Sequence, residues 1–243
     1  EEGFQLQDSF INWLHRDLDV LFLCNPNNPT GISINRDFLF RVLRVCRELD
    51  ILLVVDECFL DFIEEPERFT LKAQLSRYHN LFLLKAFTKR YAMPGIRLGY
   101  GITENRELLE AMTQVTQPWN ISVMAQAAGI AALKESAYVE KGRQMVFCEA
   151  KYLKEELASL GMQVYPSEAN YIFFRGPENL FEICAQQNVL IRDCSNYSGL
   201  RKGFYRVAVR THEENKQLIR AIKDGTMAAA VAHAAALEEE EQA

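Results

Sequence analysis

Apolar residues fall along this chain in two rhythms. Continuous apolar runs at 20–24, 51–55 and 81–84 each stop at polar or turn-forming residues. That is the signature of short parallel strands buried on both faces. Between and after them the spacing becomes helical, over 35–49, 107–115 and 123–133. At the front, Phe4, Leu6, Phe10, Leu14 and Leu18 share a face, which predicts an amphipathic helix over 1–18. Another strand is expected over 97–102. Strands alternating with helices through short connections predict an α/β doubly wound sheet.

Beyond residue 134 the pattern changes. A long helix over 138–160 ends at Gly161, and short strands follow at 163–165, 170–174, 189–191 and 204–209. Helices over 179–187 and 213–222 separate and close them. The expected organisation is a large domain over 1–134 and a smaller α+β domain over 135–225. An Ala/Glu-rich tail over 226–243, frayed or disordered, completes the chain.

Ligands of doubly wound sheets gather outside the carboxyl ends of the strands. Three such ends carry usable chemistry. The first strand runs into Asn25-Pro26-Asn27-Asn28-Pro29-Thr30-Gly31, the second into Asp56-Glu57-Cys58-Phe59, and the third delivers Thr88 and Lys89. Arg97 follows Lys89 after a Pro94-Gly95 turn. A lysine at a strand mouth can form a Schiff base, and an arginine beside it can grip a phosphate in forked geometry. Asn25 and Asn27 read as turn asparagines.

Composition narrows the class. A net charge of −6 argues against a nucleic-acid surface. No apolar run has the length of a membrane span, and no charged-then-apolar leader opens the chain. The six cysteines form no CxxC pair and sit mostly in apolar runs, as buried free thiols of a reducing cytoplasm do. The four histidines show no ligand spacing, so no metal site is expected.

Asn28-Pro29-Thr30-Gly31, Asp56-Glu57-Cys58-Phe59, and Thr88-Lys89 with Arg97, in this order, resemble the fold-type-I pyridoxal-phosphate enzymes of the class I/II aminotransferase family. The resemblance runs from about residue 19 to 222. It implies pyridoxal 5′-phosphate as cofactor, carried by Lys89. Asp56 would face the pyridine nitrogen, Asn28 the ring oxygen, and Arg97 with Thr88 the phosphate. The positions matching Arg192 and Arg206 would contact the acidic groups of a small phosphorylated amino-acid substrate, with Asn28 beside them. Asp56 to Phe62, Gln117-Pro118-Trp119, Ala169-Asn170-Tyr171, the stretch from Ile191 to Tyr197, and Tyr205 to Arg210 resemble the threonine-phosphate decarboxylase and histidinol-phosphate aminotransferase subgroup. The implied reaction is decarboxylation of L-threonine O-3-phosphate, with histidinol-phosphate-type transamination as the alternative. A homodimer is implied for the full-length protein.

Three departures accompany the resemblance. Phe59 stands where many aminotransferases place a tyrosine, and Ala86 where a phosphate-binding Ser or Thr is usual. Nothing before Asp19 matches the family's amino-terminal arm and phosphate-cupping loop. The large domain therefore reads as partial and the chain as a fragment, a non-catalytic remnant being a further reading.

Overall fold

A computed structural model describes residues 3–241, with side chains of 229, 230 and 232–241 left aside. Contacts divide the chain into two compact units: residues 1–28 with 32–144, and residues 29–31 with 145–243.

The first unit is built on a four-stranded sheet. Strands β1 (Val20–Cys24), β2 (Leu52–Asp56) and β3 (Leu81–Ala86) run parallel, and β4 (Gly99–Ile102) closes the order β1-β2-β3-β4 antiparallel to β3. Helix α1 (Arg36–Glu48) makes the first crossover. It starts where Asn35 accepts hydrogen bonds from the backbone N–H of Asp37 and Phe38, satisfying donors a helix start leaves unpaired. Phe38, Leu39, Val42, Leu43 and Cys46 form its buried stripe. They pack with Leu53, Val55, Leu81 and Leu83 in one core. Alternation along a strand puts Leu53 and Val55 on that core face and aims Val54 and Asp56 at the other.

Three expectations for this unit are corrected. The helix over 1–18 is absent: the structure has a single short 3-10 helix, Asp8–Trp13, while Glu1 and Glu2 lie outside the described residues. Gly3 and Phe4 both take positive φ, which a right-handed helix cannot include. Phe10, Ile11, Leu14 and Leu18 still pack against the core as partly buried residues, so the apolar spacing reported burial without helix. Second, β1 is an edge strand, not one buried on both faces; Val20 and Phe22 are exposed, at 42% and 68%. Third, the β2–β3 connection holds only 3-10 turns, at Leu60–Phe62, Pro66–Arg68 and Lys72–Arg77. Helices α2 (Phe87–Arg90), α3 (Arg106–Val115) and α4 (Val123–Ala132) follow β3, and α3 and α4 are capped by the side chains of Asn105 and Ser122.

The unit boundary falls inside α5 (Ser136–Ser159). The second unit holds a sheet in the order β5-β6-β8-β7, antiparallel throughout: β5 (Gln163–Val164), β6 (Tyr171–Arg175), β7 (Arg192–Asp193) and β8 (Phe204–Ala208). Helix α6 (Leu180–Gln186) packs against α7 (His212–Glu241). The strand expected over 189–191 begins three residues late, at Arg192, since Val189 N–H bonds back to Cys184 O and closes α6 instead. Helix α7 continues through the stretch expected to fray, as far as Glu241; Gln242 and Ala243 lie outside the described residues. No described helix is long and apolar enough to cross a membrane.

Candidate active site

Because β1, β2 and β3 are parallel, their carboxyl ends meet at one edge of the sheet. Cys24 aligns with Asp56, and Asp56 with Leu84. The loops leaving that edge carry Asn28, Asp56, Thr88 and Lys89. The first loop is anchored by Asn25, which is fully buried: its amide donates to Phe69 O at 3.0 Å and accepts from Ile34 N–H at 2.9 Å. Its own N–H donates to Asp56 O at 2.9 Å. Asn25 is thus a structural bracket, and Asn28 rides half-buried on the loop it holds.

Asp56 is half-buried at the last position of β2. One carboxylate oxygen accepts the Cys58 backbone N–H at 2.9 Å, which pins its rotamer. The Cys58 thiol beside it is pushed up to about 12, first by burial and then by its hydrogen bond to Asp56 and that residue's negative charge. Cys24, on the neighbouring strand, is raised as well, by burial and then by Asp56. Both thiols near Asp56 are thus held in the protonated form.

Lys89 lies on α2, a single turn immediately after β3, and is exposed. Its ammonium lies 5.5 Å from the centre of the Phe59 ring, a favourable cation–π approach. Phe59, the departure from the usual tyrosine, thus faces the lysine and offers no hydroxyl. Thr88 is half-buried next to it.

Arg97 was expected at the start of a strand; it sits just before one. It caps the Pro94–Ile96 turn in left-handed conformation, φ 57°, and donates to Pro94 O at 2.9 Å. The hairpin-like register Ala86↔Gly99, continued by Phe87 N–H to Leu98 O, returns the segment that follows Arg97 to the end of β3, and Arg97 itself is exposed. Ala86 offers no donor there.

In the second unit Arg192 and Arg206 are direct cross-strand partners on β7 and β8. Like charges in that relation repel unless an anion or π-face compensates. Arg206 is half-buried on β8, on the face opposite Tyr205 and Val207, with its guanidinium 5.1 Å from the Tyr171 ring centre. Arg192 donates to Asn196 at 2.8 Å and lies over Tyr197. Gly31 also belongs to this unit, at φ +72°. A side chain there would meet the Ser167 Cβ at 2.8 Å. Ser167 donates to Thr30 O at 2.6 Å, and Glu168 N–H donates to Gly31 O at 2.7 Å.

One feature was not anticipated from sequence. Glu57, wholly buried, accepts Thr70 Oγ1 at 2.7 Å and meets Lys85 Nζ at 2.8 Å. Its signal was a lysine inside an otherwise apolar strand.

The donor set at the sheet edge fits pyridoxal 5′-phosphate: an amine for the aldehyde, a carboxylate for the pyridinium nitrogen, an amide for the ring oxygen, and a hydroxyl with a guanidinium for the phosphate. Comparison with known proteins agrees. The family model for aminotransferase class I and II matches residues 8–222. The chain belongs to the class I and II aminotransferase family. Family membership supports pyridoxal phosphate as cofactor. Among family members, the threonine-phosphate decarboxylase of Salmonella typhimurium is 35% identical over 92% of this chain and 62% of its own length. A histidinol-phosphate aminotransferase of Methanocaldococcus jannaschii is 31% identical, over 92% of this chain and 60% of its own. The crystal structure of the histidinol-phosphate aminotransferase from Clostridium acetobutylicum superposes with a TM-score of 0.87 at 33% identity, over 92% of this chain and 69% of that one. The L-threonine-O-3-phosphate decarboxylase from Porphyromonas gingivalis gives 0.74 at 25%, over 85% of this chain and 64% of that one. The chain thus spans about three fifths of the length of the Salmonella and Methanocaldococcus relatives, at 62% and 60%.

Proposed function

We propose that the chain is the greater part of a pyridoxal-phosphate enzyme that decarboxylates L-threonine O-3-phosphate to (R)-1-aminopropan-2-yl phosphate and carbon dioxide. The observation that supports the cofactor assignment is the arrival of Asn28, Asp56, Thr88 and Lys89 at one edge of a parallel sheet. The choice of substrate rests on similarity to the Salmonella decarboxylase.

In this reading residues 1–134 are the partial cofactor-binding domain and 135–225 the small domain. Bound at the sheet edge, the cofactor supplies an electron sink for the pair left on the substrate α-carbon. Asp56 holds a proton on the pyridine nitrogen and so keeps that sink strong. Asn28 orients the ring. Arg97 and Thr88 bind the phosphate. Arg206 and Arg192, facing each other across β7 and β8, take the substrate's carboxylate and phosphate, which relieves their mutual repulsion. Lys89 Nζ anchors the cofactor and then returns a proton to the α-carbon after carbon dioxide leaves. The whole protein acts as a cytoplasmic homodimer.

The second reading is histidinol-phosphate-type transamination, favoured by the TM-score of 0.87 to the Clostridium enzyme. The two differ in which bond to the substrate α-carbon would break, that to the carboxylate or that to hydrogen. Incubating the enzyme with L-threonine O-3-phosphate and trapping the gas separates them. Carbon dioxide in equal yield with aminopropanol phosphate is expected. Keto-acid product without carbon dioxide would sink the decarboxylase assignment.

A further inference from the structure

Two ion pairs tie the segment that begins at Asp56 to the segment that carries Lys89. Glu57, next to Asp56, pairs with Lys85 at 2.8 Å, and both side chains are out of solvent, at 0% and 15% exposure. Asp61, two residues past Phe59, pairs with Arg90, next to Lys89, and these are 17% and 35% exposed. One pair thus stands at each end of a short two-rung ladder. Phe59 and Lys89 lie between the rungs along their segments, with the Lys89 ammonium over the Phe59 ring, and Asp56 directly precedes the first rung.

The backbone shares the tie: Glu57 N–H donates to Leu84 O at 3.0 Å. Glu57 Oε1 accepts Thr70 Oγ1, while Oε2 lies 2.8 Å from the Lys85 ammonium as an ion pair without hydrogen-bond geometry. Alternation aims Glu57 and Lys85 at the opposite face of the sheet from Asp56. Neither can touch a cofactor held by Asp56, so any effect on one passes through position.

A buried ion pair is a poor device for stability alone, since apolar residues of similar volume do as well or better. What it adds is a single admissible geometry. Here Lys85 interrupts a strand otherwise made of Leu, Phe and Ala, one residue past Leu84, the register partner of Asp56. Lys72, Lys85 and Arg90 line one cavity of about 330 Å³ with Asp61, Thr70 and Tyr100. A shortened side chain at either rung therefore opens into existing space.

We propose that Glu57–Lys85 and Asp61–Arg90 form a clamp that sets the place of Lys89 relative to Asp56, making these four positioning residues rather than catalytic ones. The inference rests on the pyridoxal-phosphate reading above. The clamp acts by charge as well as shape, so Lys85→Arg and Arg90→Lys preserve it while Lys85→Met and Arg90→Met do not.

The test uses the full 243-residue chain titrated with pyridoxal 5′-phosphate. The near-ultraviolet to visible band of the Lys89-bound cofactor is followed against concentration and pH, with thermal unfolding in parallel. Lys85→Met and Arg90→Met are expected to weaken cofactor binding by about tenfold to a hundredfold. They are also expected to move the pH midpoint of the band by about half a unit or more. Lys85→Arg should restore both. If Lys85→Met strands Glu57 and does not fold, Glu57→Gln/Lys85→Met removes the stranded charge and carries the same expectation. A folded neutral variant that loses thermal stability with affinity and midpoint unchanged overturns the clamp and leaves the cofactor reading standing. A wild-type chain that develops no band overturns both.

Discussion

Gly31→Ala tests how tightly the Asn28 loop is held. Gly31 takes φ +72°, and an added Cβ would lie 2.8 Å from the Ser167 Cβ and 3.2 Å from its Cα. The left-handed backbone costs alanine about 1–2 kcal/mol. Overpacking costs about 1–3 kcal/mol more, because the intruded atoms are the backbone and Cβ of a residue that cannot swing aside. Ser167 is held by its hydroxyl bond to Thr30 O and by Phe173 N–H, which donates to that hydroxyl at 2.9 Å. Lys154 Nζ donates to its carbonyl at 2.6 Å. The sum is about 2–5 kcal/mol, or roughly 4–20 °C in unfolding midpoint for a chain of this size. Thermal unfolding followed by circular dichroism measures it, and a cycle with Ser167→Gly separates the parts. The steric part should vanish in the double variant and the backbone part remain. A Gly31→Ala midpoint within 1 °C of wild type would refute the reasoning.

Two smaller predictions follow from local geometry. Leu39 is fully buried on α1, so Leu39→Ala should cost about 2–5 kcal/mol and Leu39→Met less than about 1.5 in urea titrations. Glu214 is held down to about 2 by hydrogen bonds from Arg210 and from Thr211. A lowered carboxylate contributes stability above its unfolded pKa, near 4.5, and loses it as pH falls toward 2. Carboxyl NMR should place the Glu214 midpoint near 2, and Arg210→Gln should raise it, since the hydrogen bond that lowers it most is lost.

The placement of much of the candidate site was legible because parallel strands end in loops, and an apolar run that stops shows where. The runs ending at Cys24 and Val55 pointed to Asn28 and Asp56, and the one from Leu81 to Lys89. Arg97 was legible as a residue but not as a conformation: its left-handed φ follows from the Pro94-Gly95 turn and the antiparallel return of β4, which no periodicity records. The front segment misled because Phe4, Leu6, Phe10, Leu14 and Leu18 fall at helical spacing whether or not a helix forms. Most of them needed only to reach the core.

Local pattern by itself determined where strands stop, where helices are capped, and which residue types stand at the strand mouths. Those depend on neighbours in sequence. Only tertiary structure decided what faces what. Glu57 and Lys85 pair because β2 and β3 are adjacent in register, Arg192 and Arg206 because β7 lies beside β8, and Gly31 abuts Ser167 because a hydrogen-bonded loop brings it there. Pairing of this kind is a property of sheet order and side-chain alternation. It emerges only when distant segments are laid side by side.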